Sequence, residues 1–141
     1  MEESINVALG YIKGNYKSFN LDMEYLNNNT IHMHIANNAI KKDGPSAGIT
    51  IVTSMLSFLK NKEISNKISM SGEITLTGKI LKVGGIKEKI IAAINNNVEI
   101  VFLPLQNKEE VKDLSYIYNN KLRIVFVSHY IEIYNILFRK D

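Results

Sequence analysis

Three sets of residues in this sequence have the type and spacing that chemistry requires, and the first is a serine behind a Gly-Pro step. Ser46 follows Gly44-Pro45 and precedes an apolar run that starts at Ile49. Gly serves as a helix N-cap and Pro suits the first helical position, so a helix is predicted to begin here with Ser46 in its first turn. A hydroxyl there can attack a carbonyl while nearby backbone amides hold the oxyanion. Serine at a helix start is also common for structural reasons alone.

The second set is a pair of lysines behind Gly84-Gly85. Lys87 and Lys89 flank the apolar face of a helix predicted from Ile86 to about Asn95. The residues three and four positions from Lys89 are uncharged and mostly small, and burial among them lowers the pKa of a lysine and makes it a usable general base. A lysine at the edge of an apolar face can equally extend into solvent. Periodicity does not choose between Lys87 and Lys89.

The third set is His32 and His34, which lie on one face of a strand predicted over Thr30–Ala36. Two imidazoles in this arrangement can bind a metal. The remaining histidine, His129, is distant in the chain, and no acidic residue flanks the pair. The pattern therefore favours hydrogen-bond donors near a cleft, or a polar strand face, over a metal site.

The remaining elements must position these groups. The Ser46 helix is predicted to run to about Lys60 and to be buried on more than one side, with stripes at Ile49, Val52, Leu56 and Leu59 and at Ile51, Met55 and Phe58. Other helices are predicted at 2–19, 108–114 and 130–138, turns at 20–29, 37–43 and 61–66, and strands at 67–74, 80–83, 98–103 and 122–127. Alternating strands and helices in the last half predict an α+β fold with layered α/β packing, as one domain over residues 1–141.

Composition bounds the function. The 141 residues are 45% hydrophobic, which indicates a globular chain, and no apolar run reaches the roughly 20 residues of a membrane span. The absence of Cys excludes disulfides and thiolate catalysis. A net charge of +3 permits nucleic-acid binding, but no basic cluster with interleaved aromatic residues supports it. The acidic N-terminus does not read as a signal peptide, and the Asn runs at 27–29 and 95–97 predict loops or helix ends.

Three ordered motifs, at residues 42–48, 71–78 and 83–89, together resemble the proteolytic domain of the ATP-dependent Lon protease family, A-type, and the resemblance extends over nearly the whole chain. The segment 42–48, Lys-Asp-Gly-Pro-Ser-Ala-Gly, is similar to the nucleophile motif of that family. The segment 71–78, Ser-Gly-Glu-Ile-Thr-Leu-Thr-Gly, resembles its second signature, and 83–89, Val-Gly-Gly-Ile-Lys-Glu-Lys, resembles the third, which carries a catalytic lysine. The segment 31–35, Ile-His-Met-His-Ile, matches a strand of the family.

This resemblance implies a serine endopeptidase with a Ser–Lys dyad. Ser46 would be the nucleophile and Lys89, rather than Lys87, the general base. Backbone amides around Asp43 to Ser46 would donate to the oxyanion, and Ser71, where the family usually has Thr, would orient Lys89. The supporting residues expected from the resemblance are Asp43, Gly44, Ser71 and His34. No cofactor or metal site is expected in this chain.

The resemblance also implies a larger parent protein. The family has further strands upstream, a substrate-binding region and an ATPase module, and no Gly-x-x-x-x-Gly-Lys-Ser/Thr sequence occurs here. We therefore expect a C-terminal part of a Lon-like proteolytic domain, with ATP and Mg²⁺ used by the ATPase module. The expected partners are unfolded or damaged proteins and, in the parent, a hexameric ring, with no membrane. The expected location is a mitochondrial or other organelle matrix, or alternatively the bacterial cytoplasm.

Three other functions compete with this interpretation. A catalytically dead Lon-like module would be expected to lose the serine or the lysine, and both are present. A basic nucleic-acid-binding domain would show steeply salt-dependent binding. A phosphate-binding enzyme built on Gly84-Gly85 lacks a partner motif. Lys82, which replaces the usual Pro of the third motif, is a local departure from the family pattern.

Overall fold

The computed structural model describes residues 1–36 and 44–139. Its helices and strands, with two short 3₁₀ helices, follow in the order α1 (Glu2–Gly14), α2 (Met23–Asn28), 3₁₀ (Pro45–Ala47), α3 (Gly48–Leu59), β1 (Ile68–Met70), β2 (Glu73–Ile74), β3 (Ile80–Leu81), α4 (Ile86–Asn95), β4 (Ile100–Pro104), 3₁₀ (Leu105–Asn107), α5 (Lys108–Asp113), α6 (Ser115–Tyr118), β5 (Arg123–Val127) and α7 (Tyr130–Leu137).

A parallel sheet in the order β1-β4-β5 divides the core into two layers. Successive side chains of the central strand, β4, point to opposite faces of the sheet, and consecutive residues of this strand are buried. Both faces of the sheet are therefore covered at β4. Phe102 joins a cluster built mainly from α1, α3 and α7, whereas Val101 and Leu103 join a second cluster with α4 and α5. The predicted α+β fold with layered packing is confirmed.

An antiparallel hairpin, β2–β3, stands beside this sheet. Its turn contains Gly78 at φ +90°, a left-handed conformation that a side chain strains. The amide of Ile80 donates to the Ser128 carbonyl and the amide of Tyr130 donates to the Gly78 carbonyl, each at 2.9 Å. These bonds attach the hairpin to the start of α7.

The N-terminal region departs from the prediction. Helix α1 ends at Gly14, because Asn15 turns the chain and its Nδ2 donates to the Tyr11 carbonyl at 2.9 Å, and Phe19 then enters the core. The predicted turn at 20–29 contains α2, whose N-cap Asp22 accepts a hydrogen bond from the Glu24 amide. The residues predicted as a strand over 30–36 do not form one. Their burial still alternates, but they pair with no strand in the described residues. An alternating sequence indicates which face of a segment meets the core, but it does not indicate which strand the segment pairs with.

One prediction of burial is wrong. Phe58, predicted to lie on a buried stripe of the Ser46 helix, is 69% exposed, whereas Ile51 and Met55 of that stripe are buried. The strand predicted over 122–127 is β5, which is largely half-buried because it forms one end of the sheet. The short helix α6 was not predicted. Across residues 1–36 and 44–139, no helix combines the length and apolarity needed to cross a membrane.

Candidate active site

The serine singled out in the sequence lies in a tight turn at the entrance to α3. Gly44 is the N-cap and Pro45 the first residue of a 3₁₀ helix, so the predicted start at Gly44-Pro45 is confirmed, while α3 itself begins at Gly48. The tighter 3₁₀ turn holds Ser46 half-buried at the surface of the helix entrance. Pro45 has no N–H, and the Ala47 amide donates to the Gly44 carbonyl at 3.2 Å. The remaining backbone N–H of this 3₁₀ helix is that of Ser46.

The backbone around Ser46 is fixed by the segment between β1 and β2. The Gly72 amide donates to the Ser46 carbonyl at 2.9 Å, and the Ile49 amide donates to the Gly72 carbonyl at 3.1 Å. The Ser71 hydroxyl also donates to the Ser46 carbonyl, at 3.3 Å. Because the Ser71 amide donates to the Phe102 carbonyl at 3.1 Å, these bonds tie the serine turn to β4. The hydroxyl predicted to orient Lys89 therefore holds the Ser46 turn; its effect on Lys89 stays a prediction.

Two glycines allow this close approach. A Cβ at Gly48 would lie 2.9 Å from both the amide nitrogen and Cγ2 of Ile74, and one at Gly72 would lie 2.9 Å from Ile80 Cγ2. Real Cβ atoms do not approach this closely, so both positions require glycine for the helix entrance to meet the hairpin. The motif glycines thus have a packing role beside the serine.

The lysine comes from the first turn of α4, which runs over Ile86–Asn95 as predicted. Gly85 precedes it at φ +66°, a left-handed conformation that glycine adopts without cost. Lys89 is half-buried, and its Nζ donates to the Gly84 carbonyl at 2.8 Å. Burial lowers the pKa of Lys89 below the 10.5 of a solvated lysine. Lys87 is exposed.

Ser46 and Lys89 both line the same two cavities. The first, about 430 Å³, has an apolar wall of Met70, Ala92, Ala93, Val98, Val101 and Leu103. The second, about 610 Å³, is the more polar of the two and includes Glu73, Lys82, Gly84 and Gly85. No hydrogen bond joins Ser46 Oγ to Lys89 Nζ among the described residues. Catalytic hydrogen bonds are often longer without substrate and shorten when it binds.

Not every residue predicted for the site lies here. Gly44 is buried at the serine turn, and its carbonyl accepts from Ser4 Oγ at 3.0 Å. His34 is exposed and lines a separate groove with Met55 and Phe58, which contains neither Ser46 nor Lys89. The described residues contain no group of three potential metal ligands around it. Asp43 and the predicted loop 37–43 lie outside the described residues.

Sequence reasoning missed the residues that brace the loop before Lys89. Asn107 is 1% exposed; its Oδ1 accepts from the Val83 amide at 3.0 Å and its Nδ2 donates to the Val83 carbonyl at 2.9 Å. Gln106 Oε1 accepts from the Lys82 amide at 2.8 Å. Both residues follow the carboxyl end of β4. Their position there was the available signal, because polar side chains after a parallel strand meet others at the same sheet edge.

Comparison with known proteins identifies the family of this chain. Residues 1–140 match the family described as the Lon protease (S16) C-terminal proteolytic domain. The chain belongs to this family. It is 41% identical over 139 residues to a Lon protease of Malacoplasma penetrans and 43% identical over 138 residues to one of Mycoplasma genitalium. It is 45% identical over 139 residues to a "Lon protease homolog, mitochondrial" of Caenorhabditis briggsae.

These matches confirm the predicted family, and they cover this chain and its relatives to very different extents. They cover 98–99% of this chain but 14–18% of the length of the relatives. The chain is therefore similar to one part of each Lon protease. The relatives include bacterial proteins and one that is named as mitochondrial.

Proposed function

We propose that this chain is a serine peptidase domain in which Ser46 is the nucleophile and Lys89 the general base. The observation that carries the proposal is that Ser46 and Lys89 both line the same two cavities, although the two residues come from different helices. The lowered pKa of Lys89 supports it, because a base must be neutral to accept a proton. Membership of a proteolytic-domain family gives the reaction class.

In the proposed reaction, neutral Lys89 takes the proton of Ser46 as Oγ attacks the peptide carbonyl. One N–H of Lys89 donates to the Gly84 carbonyl, which orients the nitrogen and leaves its lone pair available. The Ser46 amide would donate to the tetrahedral oxyanion. Lys89 then gives the proton to the departing amine, and an acyl-enzyme remains. Water, deprotonated by Lys89, releases the acid and restores Ser46.

We propose that the substrate is an extended, unfolded peptide. Strand β1 lies at the end of the sheet order, and its Ser69 and Met70 line the apolar cavity with Ser46. A peptide that adds to this edge by main-chain hydrogen bonds would bring a carbonyl to Ser46 and a side chain to the apolar wall. A complex with the peptide bound away from β1 would contradict this part.

The wider role is proposed from the relatives. We propose that in a parent protein this domain degrades unfolded or damaged proteins within a hexameric ring, and that a separate ATPase module uses ATP and Mg²⁺ to unfold and thread them. The work of ATP would lie outside peptide-bond chemistry. An organelle matrix or the bacterial cytoplasm is the proposed location.

The test is hydrolysis of an unstructured fluorogenic peptide without ATP. Ser46→Ala and Lys89→Met are each expected to lower kcat/KM by about 10³-fold or more, because nucleophile and base act as a unit. Lys87→Met, an exposed lysine of the same helix, is the matched control and should leave kcat/KM unchanged. Covalent labelling with a serine-directed fluorophosphonate, mapped by mass spectrometry, reads out the nucleophile independently of turnover. Activity that survives Ser46→Ala, or labelling elsewhere, would refute the assignment.

A further inference from the structure

One carboxylate, that of Glu73, lines a cavity with the proposed dyad but has no role in the proposed reaction. Glu73 opens β2, directly after Gly72, whose amide holds the Ser46 carbonyl. Its partner across the hairpin is Leu81, and the next residue, Ile74, is buried in the core. Because neighbouring side chains of a strand point to opposite faces, Glu73 points away from the core and lines the polar cavity with Ser46. The hairpin register therefore places Glu73 on the face of β2 that lines this cavity, which Ser46 also lines.

The polar cavity has a defined set of charges. Among the described residues, the ionisable groups that line it are Glu73, Lys82 and Lys89. Glu73 is half-buried, whereas Lys82 is exposed, and no ion pair joins either to another described residue. With Lys89 neutral, as the proposed reaction requires, the charged side chains of this cavity are the half-buried Glu73 and the exposed Lys82.

The position of Lys89 indicates which half of the substrate enters this cavity. Its Nζ donates to the Gly84 carbonyl, and Gly84 lines the polar cavity but not the apolar one. The base delivers its proton to the departing amine. In the proposed reaction the amine half of the substrate would therefore lie toward Gly84 and Glu73, and the acyl half toward the apolar wall.

We propose, on the basis of the proposed peptidase function, that Glu73 is a specificity-determining residue that selects a basic side chain on the amine side of the cleaved bond. A lysine or arginine of the substrate would donate a charge-assisted hydrogen bond to the carboxylate. A partly exposed ion pair of this kind corresponds to a preference of roughly fivefold over a neutral side chain. Lys82 opposes this preference by repulsion, so its removal should strengthen the selection.

The proposal is tested first by binding, which does not depend on turnover. The Ser46→Ala chain is titrated with fluorescent unstructured peptides of one sequence that carry Lys, Gln or Glu in their downstream half, and anisotropy gives Kd. The Lys peptide should bind roughly fivefold more tightly than the Gln peptide. Glu73→Gln should remove this difference, Lys82→Gln should increase it, and Glu109→Gln, an exposed carboxylate on α5, should leave it unchanged. Equal binding, absent binding, or a preference that survives Glu73→Gln would overturn the proposal.

Cleavage of a mixed peptide library by the unmodified chain assigns the side. Mass spectrometry of the products should show Lys and Arg enriched after the cleaved bond, and the Glu73→Gln chain should lose this enrichment. Cleavage without the enrichment would leave the peptidase function standing and refute the role of Glu73. A Glu73-dependent binding preference in a chain that neither cleaves nor labels at Ser46 would support recognition by Glu73 and refute the proposed chemistry.

Discussion

The substitution Gly48→Ala should damage both stability and activity, because no space exists for one methyl group. The added Cβ would lie 2.9 Å from the Ile74 amide nitrogen and 2.9 Å from its Cγ2. Ordinary contacts begin near 3.4 Å, so α3 and the hairpin must separate by about 0.5 Å. The amide nitrogen is backbone and cannot rotate aside.

Two opposing effects set the magnitude. Overpacking of this kind costs about 1–3 kcal/mol, whereas Ala in place of Gly within a helix gains up to about 1 kcal/mol. Overpacking prevails, and we expect the free energy of unfolding to fall by about 1–2 kcal/mol and Tm by about 3–8 °C. Ser46 lies two residues before Gly48, and a displacement of about 0.5 Å should lower kcat/KM about tenfold.

Urea unfolding and peptide hydrolysis check this prediction with a matched variant. Gly14 ends α1, and a Cβ there would meet nothing within 4 Å. Gly14→Ala should therefore raise the free energy of unfolding by about 0.5–1 kcal/mol and leave kcat/KM unchanged. If Gly48→Ala proved as stable as Gly14→Ala, or kept full activity, the close contact between α3 and the hairpin would not limit the molecule.

Two further predictions concern the loop that carries the base. Asn107→Ala leaves the buried Val83 amide and carbonyl without partners and should cost about 2–4 kcal/mol of unfolding free energy in urea titrations, whereas Gln106→Ala removes one exposed bond to Lys82 and should cost under about 1 kcal/mol. Equal costs would contradict the bracing role of Asn107. Burial lowers the pKa of Lys89, and the neutral form is the active base, so kcat/KM should rise with pH and reach its plateau with a midpoint below 10.5. A profile that falls with rising pH below that value would contradict Lys89 as the base.

Local signals in the sequence predicted the elements that carry the site. Gly44-Pro45 marked the helix entrance, and periodicity gave α4 with its observed bounds. These features depend on residues near one another in the chain, where capping and amphipathic spacing act. The three motifs then gave the family, which the comparison confirms.

The rest depends on contacts between distant segments. Nothing near Ser71 indicates that its hydroxyl reaches the Ser46 carbonyl, and nothing near Asn107 indicates that it braces Val83. Periodicity also could not show that Phe58 stays exposed, since its burial depends on what packs against α3 and not on its spacing. Pairing partners and side-chain contacts of this kind are decided by tertiary structure.

The attachment of the serine turn to β4 has a consequence for synthesis. A nascent chain leaves the ribosome from its N-terminus, so Ser46 emerges well before Lys89 and Phe102. Until Phe102 emerges, the Ser71 amide lacks the carbonyl that ties the turn to the sheet, and α4 cannot pack on β4. A partly made chain therefore carries the nucleophile without its support. In the proposed reaction, the chain therefore acquires proteolytic capacity only after Lys89 and Phe102 have emerged, and a shorter ribosome-bound chain cannot cleave its neighbours.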